Sequence, residues 1–181
     1  GTGTLIKSGT GVQFLNGANT NSGGVVANAG VLVLGGDNSG ASGLMVANNG
    51  GTLQINATNS FYGASGRNLI VLSGGTVTAG AFTALNTSAG LGTHPTTNFS
   101  ALFSRIDQGS NGILGLQSDA SLQRSITENL DFAAAGLNLS VGAASLTSTA
   151  GASNTPVVYT GIITPNANEG LLYSCPNYRK S

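Results

Sequence analysis

Short apolar runs bounded by glycine and asparagine dominate the hydrophobic pattern of this chain. Most runs alternate apolar and polar residues, or stay apolar for only a few residues, which is typical of β-strands. No helical period of any length interrupts the first 90 residues. The pattern predicts strands at residues 31–34, 53–55, 69–72 and 137–141, with Val77 in a further strand.

These strands recur within a repeated frame. Val26-Ala-Asn-Ala-Gly30 returns as Val46-Ala-Asn-Asn-Gly50, and GGTLQI at 50–55 returns as GGTVTA at 74–79. Offsets of roughly 20 to 25 residues are typical of solenoids, and glycine and asparagine tolerate the positive φ that corners need. Asn28 and Asn48 would then stack as an amide ladder. We predict an all-β fold, a right-handed parallel β-helix, with a β-sandwich as the alternative.

The composition supports a stack of coils. Charged residues make up 7% of the 181 residues, against roughly 25% in ordinary soluble domains. Like charges repeated in stacked coils would repel one another, so scarce charge is expected of such a stack. The net charge is zero and 40% of the residues are hydrophobic, which disfavours disorder. The neutral chain also argues against binding to nucleic acid, and no apolar run is long enough for a transmembrane helix.

The second half of the chain differs in charge and in period. Only three charged residues precede Arg105, whereas six lie between 105 and 131. A helical spacing predicts a short helix near 98–107, on Phe99, Leu102, Phe103 and Ile106. A second helix is predicted from Leu122, Ile126 and Leu130, which recur every four positions. Arg124 and Glu128 form an i, i+4 charge pair in the same segment. We divide the chain into repeat coils at 1–97, a β-rich segment at 98–164 and an atypical tail at 165–181.

The first repeat carries a family resemblance. The motifs GTGTLIKSGTG at 1–11, LNGANT at 15–20, SGG at 22–24 and VANAGVLVLGG at 26–36 resemble the autotransporter-associated β-strand repeat of bacterial surface proteins, in register as well as in composition. The motifs FSRID, GILGL, ENLDF and LNLSVG, between 103 and 142, are similar to a segment found between such repeats in very large surface proteins. The resemblance implies a secreted or surface-displayed β-helical passenger or stalk, and it brings no catalytic residues.

Few residues suggest chemistry. The closest carboxylate pair is Glu128 and Asp131, near Asp119 and Arg124, and we interpret this group as a solvated or salt-bridged surface. We interpret His94 beside Pro95 and the segment at 35–40 as turns. We interpret Cys175 as an incidental residue of the tail. The four N-glycosylation motifs, at Asn56, Asn86, Asn98 and Asn138, are no more than chance gives. We therefore expect no catalytic, cofactor-binding or metal-binding residues, and no cofactor.

The leading function hypothesis is a non-catalytic, extracellular structural or adhesive module on a bacterial surface. Its expected partners are other copies, through end-to-end assembly into filaments, neighbouring repeats of a longer chain, or a glycan or cell surface. The alternative is a carbohydrate-active enzyme or glycan-binding module on the same scaffold, because a fold does not determine its function. That alternative needs clustered carboxylates and exposed aromatic residues, and the chain has six acidic residues and no tryptophan.

Overall fold

The computed structural model describes residues 1–38, 40–55, 70–78, 103, 105–116, 125–126, 129–143, 158–159, 161–166 and 173–174. Within these residues the chain forms short strands and little helix. In chain order they are β1 Leu5–Lys7, β2 Val12–Leu15, β3 Val25–Ala27, β4 Gly30–Leu34, β5 Met45–Asn48, β6 Gly51–Ile55, β7 Ile70–Thr78, β8 Asn111–Leu116, β9 Ser125–Ile126, β10 Leu130–Asp131, α1 Phe132–Ala135, β11 Asn138–Ala143, β12 Val158–Tyr159, β13 Ile163–Thr164 and β14 Tyr173–Ser174.

Every strand pair in the described part of the chain is parallel. The main sheet runs in the order β1-β3-β5-β7-β6-β4-β2, and β8, β11 and β14 continue it beyond β7. β7 lies at the turn of this order, since its first half pairs with β5 and its second half with β6. The sheet therefore curls back on itself into a solenoid-like form. Parallel pairing favours this form over a β-sandwich, whose sheets are antiparallel.

The register confirms both offsets between the repeated motifs. Val26 pairs with Val46, as the first repeated motif requires, and Thr52 pairs with Thr76, as the second requires. Parallel neighbours need a connection of roughly a dozen residues or more, which is usually a helix. Here a second short strand and two corners supply the connection, so the first coils need no helix.

The core is formed by residues that stack in register from coil to coil. Leu32 pairs with Leu53, Leu53 with Val77, and Val77 with Leu114, and all four side chains are fully buried. Burying an aliphatic side chain of this size stabilises a fold by about 1.5–3 kcal/mol. The strands predicted at 31–34 and 53–55 are confirmed, and they supply the first two residues of this column, Leu32 and Leu53.

Corners of the first coils are built from glycine. Gly30 has φ +69°, and a Cβ at this position would meet the carbonyl oxygens of Gly9 and Gly11 in the coil beside it. Gly50, at the equivalent corner one coil on, has φ +87°. A side chain at Gly30 would therefore be excluded twice, by its own backbone conformation and by the neighbouring coil. The prediction that glycine marks the corners is confirmed.

The later part of the chain forms longer coils. β9, β10 and β11 pair in parallel with β12, β13 and β14, with Ser125 opposite Val158, Leu130 opposite Ile163 and Val141 opposite Tyr173. The first two pairs share an offset of about 33 residues, which is still within the range of solenoid repeats. Tyr173 and Ser174, within the predicted tail at 165–181, pair in parallel with β11. The rings of Phe103 and Phe132 pack in the core here, with their centroids 5.2 Å apart.

The two helix predictions have different outcomes. Ile106 forms a parallel bridge with Ile70, fixed by bonds from Ile70 N to Arg105 O and from Asp107 N to Ile70 O, so the helix predicted near 98–107 does not include residues 105–107. Phe103 is helical, while residues 98–102 and 104 lie outside the described residues.

The second predicted helix, on Leu122, Ile126 and Leu130, is wrong. Ile126 lies in β9 and Leu130 in β10, while Leu122 lies outside the described residues. Residues four apart share a face in a strand as well as in a helix, so the apolar spacing did not distinguish the two. The helix in this region is α1, which begins at Phe132 after its cap Asp131 and ends at Ala135 before its cap Gly136.

Candidate functional site

A column of asparagines runs along one corner of the stack. Asn48 Nδ2 donates to Asn28 Oδ1 over 2.7 Å, which confirms the predicted ladder. The same column continues through the later coils, where Asn111 is in register with Asn138 and Asn166 Nδ2 donates to Asn138 Oδ1 over 2.8 Å. An amide both donates and accepts, so identical side chains can bond in a row without charge repulsion.

The column of asparagines is interrupted at β7, which has serine and glycine at this register position. Asn48 is in register with both Ser73 and Gly74, where the strand has a bulge, and Ser73 is in register with Asn111. Gly74 has no side chain, and its backbone N–H donates to Asn111 Oδ1 over 3.1 Å. A backbone donor thus replaces the missing side-chain amide. The ladder, defined here as Asn28, Asn48, Asn111, Asn138 and Asn166, therefore spans short and long coils alike.

A second pair of asparagines stacks at another corner. Asn19 Nδ2 donates to Asn38 Oδ1 and to Gly17 O, and Asn38 is fully buried. A buried amide must be hydrogen-bonded to avoid a large desolvation penalty, so this pair holds two consecutive corners together. We did not predict it, although the frame Leu-x-Gly-x-Asn at 15–19 recurs at 34–38 and contained the signal.

Lys7 closes the first coil next to the asparagine ladder. It occupies the register position of Ala27, Ala47 and Leu72, all of which are buried and apolar. The Lys7 ammonium donates to three backbone carbonyls, those of Ser8, Gly9 and Ala29, at 3.1, 2.6 and 3.1 Å. The charge therefore ties the corner of the first coil to the corner of the second.

An aliphatic stripe lies on the outer face beside the ladder. Ile6, Val26, Val46 and Val71 are in register, one from each coil. Ile6 is 60% exposed, and the other three are half-buried. The outer surface of the first coils thus combines neutral amides with branched aliphatic side chains.

Two shallow hollows, each of about 470 Å³, open on the described surface. One lies against the first coil, beside Leu5, Leu15 and Asn19, and the other lies beside Asn111 and Asn138. No described residue with a charged side chain lines either hollow. The available chemistry is hydrogen bonding by amides and hydroxyls next to aliphatic surface.

The acidic residues do not converge within the described part of the chain. Asp131 is exposed and caps α1, with its Oδ1 accepting from Ala134 N over 2.9 Å. Asp107 accepts from Gly109 N over 2.9 Å and shapes a turn. Burial lowers the pKa of the nearby Arg105 guanidinium from its ordinary value. Of the residues described, no three His, Cys, Asp or Glu side chains are placed to hold a metal ion.

Most of the other residues weighed from the sequence lie outside the described residues. This applies to Asp119, Arg124, Glu128, His94 and Cys175, and to the glycosylation motifs at Asn56, Asn86 and Asn98. Asn138 belongs to the ladder. Asp37, in the segment at 35–40, is exposed, and Gly35 and Gly36 both donate to Leu15 O.

Among the described residues, the structure contains no helix long and apolar enough to cross a membrane. Comparisons of the chain with models of known families, with curated proteins and with solved structures found no match. The resemblance to the autotransporter-associated repeat therefore stays a prediction from the quoted motifs.

Proposed function

We propose that this chain is a non-catalytic structural module, a right-handed parallel β-helix of the autotransporter-associated repeat kind, displayed outside a bacterial cell. The observation that carries the proposal is the in-register stacking of coils at an offset of 20 residues, with an asparagine ladder along one corner. A ladder bond between neighbouring coils fixes their register, and it holds coils together without placing charge in the stack.

The mechanism is mechanical. Each coil contacts mainly its neighbours, so stability accumulates along one axis and the module behaves as a stiff spacer. The buried column of Leu32, Leu53, Val77 and Leu114 runs along that axis, and the Lys7 ammonium and the asparagines tie successive corners. Backbone ladders and side-chain columns thus run in parallel through the same coils.

We further propose that the module associates with other copies, or with neighbouring repeats of a longer chain, through its first coil. β1 and β2 each have one strand neighbour in the described residues, so each leaves one edge unpaired there. Leu5, Ile6 and Val12 are exposed on that coil, at 39, 60 and 42%. Unpaired strand edges with apolar side chains pair readily with further strands.

The shape of the purified chain tests the module. Small-angle scattering and electron microscopy should show a rod, and oriented samples should diffract at about 4.8 Å along the rod axis. A compact, isotropic particle without that spacing would contradict the β-helix. Display is tested separately, by exposing intact bacteria that produce the natural protein to antibody against this chain. Labelling only after the cells are broken would refute surface localisation.

Self-association is tested with Ile6→Lys and a matched control, Ile162→Lys, whose parent residue is 66% exposed. We expect sedimentation to show that only Ile6→Lys loses the larger species, and an unchanged distribution in both would refute association through the first coil. Screening the chain against common polysaccharides for cleavage and binding tests the carbohydrate alternative. Cleavage by the purified chain would overturn the non-catalytic assignment.

A further inference from the structure

The chain contains three Asn-Gly dipeptides, and the structure gives them different surroundings. Asn16-Gly17 follows β2 on the first coil, Asn49-Gly50 forms the turn between β5 and β6, and Asn111-Gly112 opens β8. The three dipeptides can undergo the same reaction, so differences between their reaction rates report their surroundings in the fold.

Asn-Gly is the dipeptide most prone to spontaneous deamidation, because glycine has no Cβ to hinder ring closure. The glycine nitrogen loses its proton and attacks Cγ of the asparagine. The Cγ–Nδ2 bond breaks, ammonia leaves with that proton, and a five-membered succinimide forms. Water then opens the ring at either carbonyl, which gives aspartate or isoaspartate. The reaction needs a side chain and a glycine nitrogen that are not held by other contacts.

Asn49-Gly50 meets these requirements. Both residues are exposed, and in the described part of the chain neither the Asn49 side chain nor the Gly50 N–H forms a hydrogen bond. The space around Gly50 is open, since a Cβ there would have its nearest neighbour, the carbonyl oxygen of Asn28, at 3.8 Å.

Asn111-Gly112 is held at both residues. Asn111 Oδ1 accepts from Gly74 N, and Gly112 lies within β8 in register with Leu139 of β11. A Cβ at Gly112 would meet Gly75 O and would lie 2.8 Å from Leu72 Cβ, so the backbone here is enclosed. Succinimide formation at Asn111 requires that this part of the sheet open first.

We infer that Asn49 is a site of spontaneous deamidation in the folded protein, and that the fold protects Asn111 from the same reaction. The inference does not depend on the function proposed above. It identifies a modification site that needs no enzyme, and water is its only co-reactant.

The position of Asn49 gives the modification a structural consequence. Asn49 Cβ lies 3.4 Å from the Cβ position of Gly74 in the next coil, and Asn49 directly follows Asn48 of the ladder. Isoaspartate adds a methylene to the main chain within a two-residue turn. That insertion displaces β6, whose Leu53 and Ile55 are fully buried, so the isoaspartate form should be less stable.

The test is to incubate the purified chain at mildly alkaline pH, folded and in denaturing urea, and to follow each site by peptide mapping with mass spectrometry. In urea the three sites should react at similar rates. On folding, Asn111 should slow by at least about tenfold, whereas Asn49 should change by no more than about threefold. Asn16, which is also exposed, serves as the reference for an open site.

Asn49→Gln supplies the matched variant, since it keeps the amide and disfavours the five-membered ring. It should remove the reaction at residue 49 and leave the rates at Asn16 and Asn111 unchanged. Chains deamidated at Asn49 gain one negative charge and can be separated from fresh chains by it. The fraction in which peptide mapping finds isoaspartate should unfold at lower urea concentration than fresh chains. Equal protection of Asn49 and Asn111 in the folded chain would overturn the inference, as would faster reaction at Asn111.

Discussion

The first coils and the later coils reach the same parallel stacking by different means. In the first coils the repeat is about 20 residues and glycine corners let backbones touch, as where Gly30 faces the carbonyl oxygens of Gly9 and Gly11. In the later coils the offset varies, from about 27 residues between β8 and β11 to about 33 between β10 and β13, and one connection contains α1. There Gly136, with φ +68°, faces the side chain of Gln108 instead of backbone. A side chain at Gly30 therefore has no room, whereas at Gly136 the neighbouring Gln108 side chain can move.

Substitution at the two corner glycines should separate these regions most strongly. Gly30 and Gly136 have nearly the same φ, so alanine imposes the same backbone strain at both, about 1–2 kcal/mol. Gly30→Ala adds a collision with fixed backbone and should lose at least about 3 kcal/mol of unfolding free energy. Gly136→Ala should lose the strain and the exposed hydrogen bond from Gln108 Nε2 to Ala135 O, because Gln108 must rotate away, and its total loss should stay below that of Gly30→Ala. Urea denaturation of both variants measures the difference, and equal losses would contradict the contrast.

Core truncation should show a smaller difference in the same direction. Leu53 stacks between Leu32 and Val77, whereas Leu130 is in register with Ile163 alone among the described residues. Both are fully buried. Leu53→Ala should fall in the upper part of the usual range of about 2–5 kcal/mol, and Leu130→Ala in the lower part. Matched thermal melts of the two variants provide the comparison, which fails if Leu130→Ala is the more destabilising.

The ladder should contribute similarly in both regions, because its amide bonds are alike. Asn48→Ala and Asn138→Ala should each lose about 1 kcal/mol. Asn28→Ala with Asn48→Ala completes a double-mutant cycle, in which direct coupling should be about 0.5–1 kcal/mol. Additive losses would mean that the bond between Asn28 and Asn48 contributes nothing of its own.

The smallest effect belongs to the helix of the long coils. Asp131→Ala removes the side-chain acceptor for Ala134 N and should lose about 1 kcal/mol or less. Asp131→Asn keeps an acceptor oxygen and should recover most of that loss. Both variants should leave the short coils untouched, which amide hydrogen exchange on β3 to β6 can verify.

The sequence predicted the short coils better than the long ones, for a physical reason. Where the offset between coils stays short, each corner and strand repeats in type, so Asn28 and Asn48 could be paired in advance. Beyond β7 the strands in register lie further apart, as with Thr76 and Ile113, and no repeated frame is left to read. The sequence therefore did not predict that Asn111, Asn138 and Asn166 belong to the ladder. The helix wrongly predicted at Ile126 and Leu130 also lies in this region without a repeated frame. There the spacing of four residues fitted a helix and a strand equally well.

The unequal coil lengths have a consequence for a chain pulled from its ends. If coils detach one at a time, each short coil of about 20 residues releases roughly 70 Å of extended chain, and each long coil of about 33 residues roughly 115 Å. Other neighbouring strands are offset by about 25, 37 and 27 residues, so stretching a single molecule should give extension steps of several lengths, the shortest from the first coils. The order in which these steps appear would reveal which part of the stack yields first under tension.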